Sequence, residues 1–138
     1  MAESLHRLLA ITTVFVFSQL VAGAVVRHHQ GSTIQYHLIL ALLIAMHVLF
    51  IIFKISKEEG VRVKLSPHAM LLGLLVIFQI FLGFGSFIFM RFLEKADQPS
   101  LIGVLLRTAH QSIGALVLAA ACTLTLRSLK LIKQIQTS

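Results

Sequence analysis

Four long apolar runs, separated by short polar stretches, set the pattern of this chain: approximately Leu8–Val26, Tyr36–Phe53, Ala69–Met90 and Ala109–Leu126. A helix needs roughly 20 apolar residues to cross a bilayer, so each run predicts a transmembrane helix. The expected fold is an all-α, integral membrane four-helix bundle, one domain over residues 1–138 with no room left for a soluble one.

The polar interruptions read as loops. Arg27-His28-His29-Gln30-Gly31-Ser32 is a tight turn, with its histidines solvated. Between Lys54 and Pro67 the chain is charged; Lys57-Glu58-Glu59-Gly60 is a turn, and Pro67 suits the first turn of the third span, where a missing N–H costs nothing. Arg91 to Ser100 is a second polar loop containing Glu94, Lys95, Asp97 and Pro99. Leu101–Leu106 then either lies on the membrane or extends the fourth helix.

Inside the spans the pattern repeats. Gln79-Ile-Phe-Leu-Gly83 in the third mirrors Gln19-Leu-Val-Ala-Gly23 in the first. The second span opens at His37 and the fourth at His110, with Gly114 one turn further on. Two parallel two-helix repeats follow, related by an axis along the membrane normal, an arrangement that puts a shared site between the halves.

Composition agrees with membrane insertion. Apolar residues make up 57% of the chain and charged residues only 12%, against about 25% charged in soluble domains. The net charge of +7 is unevenly spread. Arg7, Lys54, Lys57, Arg62, Lys64, Arg127, Lys130 and Lys133 flank one side, whereas Arg27, Arg91, Lys95 and Arg107 flank the other. By the positive-inside rule the first group faces the cytoplasm, which puts a multi-pass protein in the cell membrane with both termini cytoplasmic. The basic surplus thus serves orientation and attraction to anionic lipid rather than nucleic acid. Ala22-Gly23-Ala24 resembles a signal-peptide cleavage site, but cleavage would destroy the repeat, so the first span is read as retained. Cys122, the single cysteine, forms no disulfide within the chain and is read as a small buried residue.

Ionisable residues within a membrane mark function by default. His37 and His110 open their spans at equal depth on opposite sides of the repeat. Neutral imidazole is a standard axial ligand of haem iron, so the pair predicts one haem held between the second and fourth helices. Ala41, Ala45 and Gly114 are small residues on the same faces as the two histidines, where a porphyrin has to approach the backbone. Arg27, Arg91 and Arg107 stand at the boundary, suited to pair with haem propionates. The plain alternative is that each histidine only hydrogen-bonds a neighbouring helix. Gln19 and Gln79 are read as interhelical hydrogen bonds. His6 is read as a surface residue without a role. His47, near the opposite leaflet, and His68 form a weaker candidate pair around a second haem.

Gly23-Ala-Val-Val-Arg27 with Gly31-Ser32, Gln79-Ile-Phe-Leu-Gly83 and His110-Gln111-Ser-Ile-Gly-Ala115 together resemble the haem A synthase family. The similarity covers all four spans; the family usually has eight, in two four-helix halves, so the chain resembles a half-length member. The resemblance implies oxidation of a haem o methyl group during haem A biosynthesis for a terminal oxidase, with His37 and His110 as the histidines of one haem site. The family's glutamate three residues before the second-helix histidine is here Ile34, and the arginine after that histidine is Leu38. The cysteine pair of its first loop has no counterpart.

The sequence therefore predicts a membrane protein with one b- or o-type haem, its catalytic residues unassigned. Two further readings stay open: a b-type cytochrome passing electrons between quinol and a membrane partner, and a cofactor-free subunit of oxidase assembly. Pairing of two copies into a homo-oligomer is compatible with the half-length resemblance.

Overall fold

The structure, a computed structural model, describes residues 2–28, 33–93 and 100–137. His29, Gly31, Ser32, Glu94, Lys95, Asp97 and Pro99 lie outside the described residues. Four helices account for nearly all the rest: α1 (Ala2–His28), α2 (Ile34–Ser56), α3 (Glu59–Ile88, continued by a π-helical turn at Phe89–Leu93) and α4 (Leu101–Thr137). Each is long and apolar enough to cross a membrane. In lipid every backbone N–H and C=O needs a partner within the protein, and an α-helix supplies one. The chain is an all-α, multi-pass membrane bundle.

The helices run past the apolar runs that seeded them. α3 begins at Glu59, so the expected Lys54–Pro67 loop shrinks to Lys57 and Glu58. Glu58 is extended at the helix start, and its carbonyl accepts the N–H groups of Val61 (3.1 Å) and Arg62 (2.8 Å). Arg62 and Lys64 are exposed, which lets a charged first turn stay helical. Pro67 accordingly sits inside α3 rather than in its first turn. It denies the Val63 carbonyl its usual partner, at an exposed position near the helix end. At α4 the Ser100 hydroxyl accepts the Gly103 N–H at 3.1 Å, a side-chain cap that starts the helix at Leu101. Leu101–Leu106 thus extends the fourth helix.

α1 and α3 each pack against both α2 and α4. The four helices stand at the corners of a square, with α1 diagonal to α3 and α2 diagonal to α4. One seam per helix faces the axis. Leu5, Leu9, Thr12 and Val16 form it on α1; Ile44, Val48, Ile51 and Ile55 on α2; Val61, Leu65, Ala69, Leu72 and Val76 on α3; Val117, Ala121, Leu124, Ser128 and Leu131 on α4. All spacings are of three or four residues, as in bundles with interdigitated seams. All these buried residues lie in one half of the bundle, the half toward the Lys57–Glu58 connection (the basic end).

Polar bonds also cross this half. The Thr13 and Thr125 hydroxyls meet at 2.9 Å. His6 does not lie idle on the surface: its Nδ1–H donates to Ser128 Oγ at 2.9 Å, and that hydroxyl donates to the Thr125 carbonyl at 2.7 Å. Ser128 is buried, which gives the imidazole a fixed partner that spacing along the chain does not reveal.

Candidate functional site

Followed away from the basic end, the same four seams change chemistry. Three and then four residues beyond Val16 come Gln19 and Gly23; the same steps beyond Val76 give Gln79 and Gly83. On α2 the seam runs from Ile44 to Ala41 and His37, and on α4 from Val117 to Gly114 and His110. The buried aliphatic core stops where glutamine, histidine and small residues begin. Apart from Gly103 and Gly114, no residue of this half is fully buried among the described residues.

His37 and His110 meet across the α2–α4 diagonal with ring centres 6.3 Å apart and planes at 78°. Each ring rests on a glycine of a neighbouring helix. A Cβ on Gly23 would stand 3.2 Å from His37 Cε1, and one on Gly83 would stand 2.9 Å from His110 Cε1. An imidazole fills the space a side chain would take at both positions, more tightly at Gly83 than at Gly23. The Nδ1 atoms of both histidines are buried without a hydrogen-bond partner.

The glutamines complete the repeat unequally. Gln19 Nε2 donates to the His37 carbonyl at 3.0 Å and lies 3.3 Å from His37 Nε2, where an amide N–H meets the ring's lone pair. Gln79 lies instead over Gly114, where an added Cβ would be 3.0 Å from both Gln79 Nε2 and Leu20 Cδ2. The Oε1 atoms of both glutamines are buried and unpartnered. A cavity of about 50 Å³ lies among Gln19, Leu20, Ala41, Gln79 and Gly114.

These distances test the expected cofactor. About 2 Å from metal to imidazole nitrogen, and about 1 Å from nitrogen to ring centre, put two axial rings about 6 Å apart; the pair has that spacing. Axial ligation also tolerates any angle between the ring planes. The ring separation therefore matches that of two imidazoles on one metal. The volume does not yet fit a macrocycle: a cavity this small holds a water-sized group, and drug-sized ligands take about 300 Å³ or more. The small residue Gly114 clears space, but Gln79 and Leu20 occupy it.

No known family model, curated protein or solved structure matches this chain.

Of the other residues singled out by sequence, Ala41 lines the cavity with Gly114. Arg27 donates to Gln111 Oε1 at 3.2 Å, next to His110 in sequence. Arg107 is half-buried, and Arg91 is exposed in the π-helical turn. His28 is exposed at the end of α1, and Cys122 is half-buried in α4. His68 is half-buried with its Nδ1 unpartnered, and His47 has contacts of its own. Its Nδ1–H donates to the Leu43 carbonyl at 2.8 Å, and its ring meets Phe15 edge-on at 5.2 Å. Hydropathy and spacing do not single out Gly23 and Gly83 as seats for the rings, yet the sequence carries a signal for them: Gln-x3-Gly occurs twice, in register with the two histidines.

Proposed function

We propose that this chain is a membrane haem protein of the haem A synthase type, which holds one b- or o-type haem with His37 and His110 as axial ligands. The observation that carries the reading is the 6.3 Å separation of two imidazoles across the bundle diagonal. A structural histidine needs one partner on an adjacent helix. His37 has such a partner in Gln19, but the two rings also face each other, each with an unpartnered Nδ1 and a glycine seat, which disposes them as a pair.

When bound, haem supplies a redox-active iron. The protein's part is to position and enclose it. Gly23 and Gly83 set the tilt of the two rings by letting them lie against α1 and α3. Gln19 competes with a metal for the lone pair of His37 Nε2 while anchoring the His37 backbone through its carbonyl. Gln79 and Leu20 stand over Gly114, so this half of the bundle has to widen around a macrocycle. Its thin core makes that inexpensive, while the aliphatic half keeps the helices together. Arg27, with Arg91 and Arg107 near the same end, offers guanidinium groups for propionates. The cell membrane as location, with the basic end cytoplasmic, belongs to this reading, as does a terminal oxidase assembly partner or a second copy of the chain.

If the chain is an enzyme, its substrate would be haem o, oxidised at a peripheral methyl group with dioxygen as the external oxidant. A second reading draws on the same observation: an iron held by both His37 and His110 would have no free site for an oxidant, and Ile34 and Leu38 stand where the resemblance expects glutamate and arginine. That favours a b-type cytochrome exchanging electrons with quinol. Co-expression with a haem o source, followed by pyridine-haemochrome analysis of the extracted cofactor, separates them. The synthase yields haem a or its alcohol precursor; the cytochrome returns its haem unaltered. Protein that takes up no haem at all, even with haem supplied during expression, rejects both readings and leaves the cofactor-free assembly subunit.

A further inference from the structure

At the basic end, the start of α3 and the end of α4 bound a cleft of about 340 Å³, lined by Lys64, Leu65, Arg127, Lys130, Leu131 and Gln134. We propose that this cleft binds the phosphate-bearing headgroup of an anionic phospholipid. The four α4 residues fall at i, i+3, i+4 and i+7, one face of the helix, and Lys64 meets them from the second turn of α3. Three cations thus converge, and no carboxylate lines the cleft. Two other cations of this end are engaged elsewhere: Lys54 donates to Ser4 Oγ at 2.8 Å, and Lys57 lies 5.2 Å over the Phe53 ring.

Depth and shape favour a lipid over a free anion. Arg127 lies about 26 Å along α4 from His110 at 1.5 Å per residue, close to the hydrocarbon thickness of a bilayer, about 30 Å. With His110 near one boundary of the hydrocarbon layer, as the proposed function has it, the cations sit at the level of the lipid phosphates of the other. Leu65 and Leu131 are buried at the floor, and Leu126, next to Arg127 on α4, is an exposed apolar residue. A headgroup in the cleft leaves its acyl chains against that apolar surface. Basic pockets between membrane helices recognise lipids in this way. A zwitterionic headgroup brings its own ammonium, which three cations repel.

The test is native mass spectrometry of the purified full chain given equimolar phosphatidylglycerol and phosphatidylcholine. The expected result is retention of phosphatidylglycerol about tenfold above phosphatidylcholine, lost when Lys64→Gln, Arg127→Gln and Lys130→Gln are combined. Arg7→Gln, Lys57→Gln and Arg62→Gln together remove the same charge from the same end outside the cleft, and should keep the preference. Equal retention of the two lipids, or equal loss in both triple variants, overturns the proposal in favour of diffuse attraction. Displacement of the lipid by millimolar inorganic phosphate overturns it in favour of a free anion. Should the triple variant not fold, Arg127→Gln alone decides by thermal unfolding: phosphatidylglycerol should raise its midpoint less than that of wild type, and an equal rise counts against the site.

Discussion

Gly83 is the residue on which the geometry of the pair depends most closely. A Cβ there would meet His110 Cε1 at 2.9 Å and Nδ1 at 3.4 Å. Gly83→Ala is expected to displace the imidazole and weaken haem binding about tenfold or more, since overpacking costs about 1–3 kcal/mol. Gly23→Ala, with 3.2 Å to His37, should cost less. Gly60→Ala, which meets nothing within 4 Å, should bind haem as wild type does. Haem titration followed by absorbance ranks the three, and a flat ranking would show that the glycines do not seat the rings. At this scale the sequence exposes its ionisable residues well, because His37 and His110 are costly in lipid wherever they point. It conceals contacts between residues far apart in the chain. His6 with Ser128 and His110 with Gly83 need the interhelical register, which depends on how two seams interlock.

Among the elements, the two halves of the bundle should respond independently. Leu72 is fully buried in the aliphatic half. Leu72→Ala should lower stability by about 2 kcal/mol, the low end for such truncations because lipid replaces water in the unfolded reference. The haem spectrum should not shift. A shifted spectrum together with lowered stability would mean that the halves are one unit. The Thr13–Thr125 bond is expected to couple by about 0.6 kcal/mol in a double-mutant cycle with valine, the usual worth of such bonds in membranes; zero coupling would make it incidental. The four helices are legible as apolar runs of spanning length, but their ends are not. Hydropathy reports lipid contact, whereas α3 and α4 continue through exposed charged residues such as Arg62, Lys64 and Lys130, which favour helix without favouring lipid. Pro67 misleads for the same reason: it marks a helix start only when the helix ends with the apolar run.

For the whole molecule, the even helix count and the charge bias place both ends of the chain on one side. In a Cys122→Ala background, Lys57→Cys and Gln35→Cys present exposed thiols at opposite ends. A membrane-impermeant maleimide should label Lys57→Cys only from the cytoplasmic face and Gln35→Cys only from the other. The reverse pattern would invert the orientation derived from the positive-inside rule. The two-fold repeat is readable in the sequence itself, because Gln-x3-Gly and the two histidines recur in order. Division of the bundle into an aliphatic half and a polar one is not, since it depends on which face of each helix turns inward. The histidine pair is central to that division, and absorption spectroscopy of haem-loaded protein tests it most directly. Wild type should bind one low-spin haem per chain, and His37→Ala and His110→Ala should each lose the low-spin bands while His47→Ala keeps them. An unchanged spectrum in either of the first two variants would contradict the account.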